Sequence, residues 1–500
     1  MIQNVRWPRR AVVDIGSNSV RLVIFTGPPR VPLAMTNEKA LCGLGDREPE
    51  TGNLRPDAVE RALQTLRRFK AVIDSEEPET LDVFATAAAR EAPNGPQFLA
   101  EIEAIGLQPK VISGEEEARL AGLGILCSAP EIIREKTAAI GGDLGGGSLE
   151  LSLLGAGGPG GVSKMVSLPA GSLRLKSDYG DDRKAAQKGI DKMLQDLPWL
   201  IENETNSLYV VGGSWRAIAR VGMFLAEHPV PILDHYTMTA EQMLDVCRYV
   251  VDADPEDLGK ISGVQKKRVP TLPMAAIVLR RLIELSSVER VVISSCGVRE
   301  GILFDRLPAR LQRAEPLFAL AEDWADRLGA GRPVKPEAVR LFTDPLFDDD
   351  GTMQRLRYAA AIMIRTGNMS HPDERADHAA AVVMSTPFLG IDHIERSILA
   401  LMMKARFGGS VTKAGGNVPL DVLSEKDILY AERVGLAHRF ASSLRLPMFL
   451  KRSGFTLSKD DGKIVLSHEQ GVADLVVETA VKDLEKLAAS FDCKAEIRPI

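Results

Sequence analysis

Several things are missing from this chain, and each absence excludes a class. No apolar run approaches the ~20 residues of a membrane-spanning helix. The opening MIQNVRWPRRAVVDIGSNS is basic, but Asp14 interrupts the apolar core that a secretory signal needs. Cys42, Cys127, Cys247, Cys296 and Cys493 are scattered, with no pair at metal or redox spacing. Such an odd, dispersed set reads as reduced thiols in a cytoplasmic protein. Positive charge is also short: the net charge is −6 and there is no basic tail. That speaks against a nucleic-acid binder, so a polyanionic ligand would have to meet local basic clusters.

What is present is ordinary globular composition, 45% hydrophobic and 26% charged. The 500 residues outgrow a single core, so roughly two to four domains are expected. RRAVVDIGSNSVRLVIFTG reads as strand, glycine turn, strand. RPDAVERALQTLRRFKAVIDS follows with helical periodicity, and LDVFATAAAR reads as a buried strand entering a loop. Alternating strands and helices imply an α/β domain. Near residue 137 the pattern restarts with TAAIGGDLGGGSLELSLLG. Asp14-Ile15-Gly16-Ser17-Asn18-Ser19 aligns with Asp143-Leu144-Gly145-Gly146-Gly147-Ser148, which predicts two similar lobes. From about residue 308 the chain turns helical. GFTLSKDDGKIVLSH then reads as a hairpin with Asp-Gly at its turn, followed by a helix and a final strand.

The paired turns carry the chemistry. Glycine runs remove side chains and admit positive φ, so backbone N–H groups can converge on an anion. Gly16, Ser17, Asn18 and Ser19 in one loop, and Gly145, Gly146, Gly147 and Ser148 in the other, are candidate phosphate binders. The serines and Asn18 add side-chain donors. Asp14 and Asp143, at the strand ends, suit a hard cation such as Mg²⁺. Two such loops facing across a cleft describe a phosphoryl-transfer site. Taken alone, Arg90 reads as a solvated strand end. The three glutamates at 115–117 read as favourable helix N-terminal residues. Alternation in SLELSLL puts Glu150 on a solvated hairpin face.

The chain resembles the exopolyphosphatase/guanosine pentaphosphate phosphatase (Ppx/GppA) family of the actin-like, acetate-kinase and Hsp70 superfamily. The resemblance rests on both turns and on ATAAAREAPNG at 85–95, VISGEEEARL at 111–120, SLPAGSLRL at 167–175 and SSCGVREGIL at 294–303. It implies residues 1–123 and 124–307 as two actin-like, ribonuclease H-like lobes. Residues 308–415 would be a helical HD-like domain and 416–500 a small α/β cap. It implies Glu117 as general base, Arg90 as a phosphate clamp and Glu150 as an outer helper of the metal. The cofactor implied is Mg²⁺, with a monovalent cation such as K⁺ as an optional companion. A homodimer is implied, and no nucleic-acid or membrane partner.

Departures from the family pattern matter too. Leu149 stands where the family usually carries threonine. Arg365 and Thr366 occupy the place of the HD metal pair, and no His-Asp dipeptide occurs in the chain. His371, His378 and His393 are dispersed, so no second metal centre is expected. Residues 308–500 would form a substrate channel or a dimer interface. Trp215, after Gly212-Gly213-Ser214, argues against an adenine pocket. Lys266 and Lys267 read as a solvated face, Arg268 has no assigned role, and Arg299 reads as pairing locally. The expected activity is release of terminal orthophosphate from inorganic polyphosphate. Guanosine pentaphosphate hydrolysis, an actin-like ATPase or kinase, and a silent polyphosphate or alarmone sensor are the alternatives.

Overall fold

The computed structural model describes residues 7–155, 159–202, 205–328, 334–413, 415–446 and 454–500. Residues 1–6 of the segment read for a leader lie outside this set. The chain divides into two compact units, Val5–Ala314 and Glu315–Ile500.

The first unit holds two sheets. In one, β1 (Arg10–Ile15), β2 (Ser19–Thr26), β3 (Leu33–Leu41), β4 (Thr80–Ala85) and β5 (Lys110–Val111) run in the order β3-β2-β1-β4-β5. The β1–β2 and β2–β3 pairs are antiparallel, while β1–β4 and β4–β5 are parallel. The other sheet contains β6 (Ala139–Leu144), β7 (Leu149–Leu154), β8 (Val162–Leu168), β9 (Ser207–Val211), β10 (Thr237–Thr239) and β11 (Arg290–Ile293). Its order, β10-β11-β9-β6-β7-β8, repeats the same five-strand plan and adds an antiparallel edge strand. This is the ribonuclease H-like lobe of the actin-like fold, present twice.

Each lobe has its own core. Ala11, Val13 and Ile15 of β1 pack with Leu63, Leu66 and Phe69 of the helix Pro56–Glu76. In the second lobe Ile140, Leu208 and Trp215 join Leu272, Ala275 and Leu279 of the helix Leu272–Ser286. The helix Gly114–Ser128 is buried continuously from Leu120 to Ser128. Its backbone presses on the helix Val298–Asp305: a Cβ on Gly124 would lie 2.1 Å from the Gly297 carbonyl oxygen. Residue 123, where the sequence reading draws a boundary, falls inside this helix.

The second unit is mainly helical, with helices at Pro316–Leu328, Gly351–Ile362, Arg375–Ser385, His393–Arg406 and Glu425–Ser443 among others. β12 (Phe455–Asp460) and β13 (Lys463–His468) form the expected hairpin. Asp461 and Gly462 turn it at φ 44° and 70°, both left-handed, as a two-residue hairpin turn requires. β14 (Lys494–Pro499) adds in parallel. One apolar cluster, including Phe342, Phe440, Leu466 and Leu484, joins helices and sheet. No helix among the described residues is long and apolar enough to cross a membrane.

Candidate active site

The two aligned turns have the same internal bond. Gly16 N–H donates to the Ser19 carbonyl at 3.1 Å, and Gly145 N–H donates to the Ser148 carbonyl at 3.0 Å. This uses one amide per loop. The amides of Ser17, Asn18, Gly146 and Gly147 have no partner among the described residues. The glycine loop is held from behind, where Ser172 N–H donates to the Gly145 carbonyl at 3.2 Å and Leu173 N–H to that of Gly146 at 2.9 Å. With the carbonyls bound on that side, the amides are left for the cleft.

The glycines serve space rather than unusual dihedrals. None of Gly145, Gly146 and Gly147 has positive φ, contrary to the conformational reason the sequence suggests. A Cβ on Gly147 would lie 2.9 Å from Ser17 Oγ, and one on Gly146 would lie 2.8 Å from Leu173 Cδ1. The loops of the two lobes thus approach each other closely. One cleft is lined by both loops together with Asp14, Glu117, Asp143 and Glu150.

Strand register then sorts charge. In the first lobe Asp14, Arg21 and Lys39 are directly opposed across β1, β2 and β3. In the second, Asp143, Glu150 and Ser167 are opposed across β6, β7 and β8. Equivalent positions therefore carry basic residues in one lobe and an acid and a hydroxyl in the other. Arg216, Arg268 and Arg299 also line the cleft. Burial lowers the Arg21 guanidinium to about 10, with Arg299 and Arg216 adding to the effect. Burial and then Arg299 lower Arg216, while burial and then Arg216 lower Arg268.

The acids are perturbed in the opposite direction. Burial, opposed by Arg299, raises Asp14. Burial, opposed by Arg216 and Arg299, raises Asp143 to about 6. Glu150 rises to about 7 through burial and the neighbouring Asp143. The solvated-face reading of Glu150 fails: every residue of β7 is buried, and Ser167 Oγ donates to Glu150 Oε1 at 2.8 Å. The helix Gly114–Ser128 covers that strand, so alternation does not separate a wet face from a dry one.

Glu117, in the first turn of the helix Gly114–Ser128, is raised well above its ordinary value by burial and then by Glu150, Asp143 and Asp14. Its Oε2 is buried without a hydrogen-bond partner. Arg90 Nη1 donates to the Ile112 carbonyl at 2.8 Å and stands 3.6 Å from that oxygen. Arg90 thus flanks Glu117 and is not part of the cleft lining.

Sequence reasoning missed Arg21, Lys39 and Arg216, and left Arg268 and Lys267 unassigned although both line the cleft. Counting outward from the four-residue loop 16–19 would have paired Asp14 with Arg21. Arg299 does not pair locally: its Nη1 reaches Asp14 Oδ2, in the other lobe, at 3.4 Å. The segment before it is anchored by Asp234, whose Oδ1 accepts from Ser295 N–H and Oγ–H, both at 2.8 Å. His235 binds Asp234 at 3.0 Å and Glu131 at 3.3 Å.

A model of the Ppx/GppA phosphatase family matches residues 12–310. Exopolyphosphatase 1 of Mycobacterium tuberculosis is 25% identical over 353 residues, covering 66% of this chain and 97% of that protein. Retrograde regulation protein 2 of Saccharomyces cerevisiae is 24% identical, over 81% of this chain and 73% of its own length. The crystal structure of the Aquifex aeolicus Ppx/GppA family member superposes with a TM-score of 0.51 at 25% identity, covering 59% of this chain and 96% of that one. An exopolyphosphatase structure from Cytophaga hutchinsonii shares the fold, with a TM-score of 0.54 at 23% identity, 59% of this chain and 96% of that one. With the family match spanning more than half of its residues, the chain belongs to the Ppx/GppA phosphatase family.

Proposed function

We propose that this protein is an exopolyphosphatase, releasing terminal orthophosphate from inorganic polyphosphate by in-line attack of water. One observation carries the reading: strand register aligns Arg21 and Lys39 with Asp14 in one lobe and Glu150 and Ser167 with Asp143 in the other, so a single cleft is lined by both carboxylates and cations. The free amides of the two loops would hold the terminal phosphoryl group, and Arg21, Lys39, Arg268 and Arg299 would meet the anionic chain behind it. Glu117 would take the proton of the attacking water. Its buried oxygen has no hydrogen-bond partner, and burial beside Glu150 and Asp143 raises its proton affinity, as suits a base. Arg90 would orient Glu117. No histidine lines the cleft to activate a serine, which favours direct displacement over a covalent intermediate.

Mg²⁺ fits the donor chemistry. The acidic side chains offer hard oxygen ligands, and no three His, Cys, Asp or Glu of the described residues are gathered into a closed cage. A cation held by one or two carboxylates, with phosphate oxygens and water completing its shell, matches that arrangement. Asp14 and Asp143 would hold it, with Glu150 behind them. When bound it would neutralise charge on the phosphoryl oxygens.

The test is phosphate release from long-chain polyphosphate, guanosine pentaphosphate and ATP, each with and without Mg²⁺. Release from polyphosphate that depends on Mg²⁺ is expected. Glu117→Gln should lower it by about 10²–10⁴-fold while polyphosphate binding persists. Undiminished release by that variant would remove Glu117 from the role of base. Turnover confined to guanosine pentaphosphate would refute the substrate.

A further inference from the structure

A second basic cluster lies in the unit Glu315–Ile500. Arg375 opens the helix Arg375–Ser385, Arg406 closes His393–Arg406, and Arg439 lies within Glu425–Ser443. A phenyl ring and two glycines bring them together. A Cβ on Gly367 would sit 2.8 Å from Phe407 Cε2 and 3.0 Å from Arg375 Cγ. The Arg406 guanidinium lies 4.8 Å from the Phe407 ring centre, and Arg439 Nη1 is 2.1 Å from where a Cβ on Gly408 would be. Gly367 follows Arg365 and Thr366, the two residues standing in the place of the HD metal pair.

The charges in this cluster do not balance. Asp483 accepts from Arg439 Nε at 2.8 Å. Asp377 is taken by Lys404 at 3.2 Å. Arg375 and Arg406 form no hydrogen bond or ion pair with any described residue, and the Nε of each is buried without an acceptor. Burial, then the nearby Arg439, lowers Arg406 to about 9, with Asp483 opposing and Arg375 adding. Three guanidiniums against one carboxylate leave two positive charges unanswered. Holding partly buried cations together without counter-charge is unfavourable unless something else supplies it. The cluster is reachable, since the Arg439 side chain is 30% exposed and Gly408 is exposed.

We propose that Arg375, Arg406 and Arg439 form a binding site for a phosphate-bearing anion within the unit Glu315–Ile500. Planar guanidinium forks pair with oxyanions bidentately. The surplus of two charges favours a multiply charged phosphate over a single carboxylate. The site does not depend on catalysis in the cleft.

Calorimetric titration of the full-length protein with inorganic phosphate, and separately with pyrophosphate, tests this. Two classes of site are expected in the wild type. Arg375→Gln/Arg406→Gln should weaken one class by roughly tenfold or more, leaving the other class and the cleft's phosphate release unchanged. Tighter binding of pyrophosphate would identify a chain end as the ligand, and equal binding the free phosphate group. A single class in the wild type, or two unaltered classes in the double variant, would overturn the proposal. Arg406→Gln alone should hold or raise the melting temperature in phosphate-free buffer, because it relieves repulsion. A lowered melting temperature with phosphate binding intact would mark the arginines as structural and also overturn it. Arg375→Lys keeps the charge but not the fork, and should bind phosphate more weakly while remaining folded. Unweakened binding by that variant counts against the site.

Discussion

Glu150→Gln should stabilise the metal-free protein at neutral pH. Glu150 is 3% exposed, and its carboxyl is raised from 4.5 to about 7 by burial and by Asp143. Glutamine preserves the shape and can still accept from Ser167 Oγ, which lies 2.8 Å from Glu150 Oε1. The folded value lies above the unfolded one, so the folded state holds the extra proton between the two. Stability is therefore lost as pH rises through that window. Below pH ~4 the two proteins should match in stability. Above pH ~7 the variant should be more stable by on the order of 3 kcal/mol. Urea unfolding in EDTA, followed by tryptophan fluorescence, measures this, and Trp7, Trp199 and Trp215 all report on the unit Val5–Ala314. Adding Mg²⁺ should close the gap by stabilising the wild type. A variant destabilised at pH 8 and less so at pH 4 would show that Glu150 is ionised and well paired in the fold. That result would refute crowding of like charges around Glu150.

Three other outcomes follow from the same geometry. Gly171→Ala would place a Cβ 2.3 Å from Gly147 C and Ser148 N, backbone atoms that cannot yield as a side chain does. It should cost about 1–3 kcal/mol and most of the phosphate release, and a normal melting temperature with normal activity would contradict the seating of the loop. Arg21→Gln should raise KM for polyphosphate about tenfold with a smaller change in kcat, and flatten its dependence on salt; an unchanged KM would remove Arg21 from substrate binding. His235 is raised well above its ordinary value, chiefly by Asp234 and Glu131 acting against burial. His235→Gln should therefore cost about 3–5 kcal/mol, in full below pH ~6.5, with the deficit shrinking as pH climbs from there to the raised value. Equal stability of the two proteins at pH 6 in urea would refute the charged triad.

Local pattern made much of this legible. The hairpin at Asp461–Gly462 follows from turn chemistry, and the two Asp-aliphatic-Gly turns announce a duplicated lobe. From residue pattern alone the cleft was legible only where it repeats, and Glu117 was found through the family resemblance instead. Asp14 and Asp143 stand out because one motif occurs twice, whereas Arg21 and Arg216 sit in segments whose other features drew attention. For Glu150, alternation failed where the family resemblance did not: alternation assumes one wet face, and β7 has none.

The sequence by itself determined the secondary elements, the duplicated Asp-aliphatic-Gly turns and the family to which the chain belongs, because these depend on neighbours along the chain. Only the tertiary structure decided how the cleft is charged. Lys39 joins Arg21, and Ser167 joins Glu150, through the registers of β3 and β8, whose irregular pairings no local rule supplies. It also brought Arg299 to Asp14 across 285 residues and left Glu117 Oε2 without a hydrogen-bond partner. Electrostatic energy depends on distance in space and on exclusion of water, and neither can be read from separation along the chain.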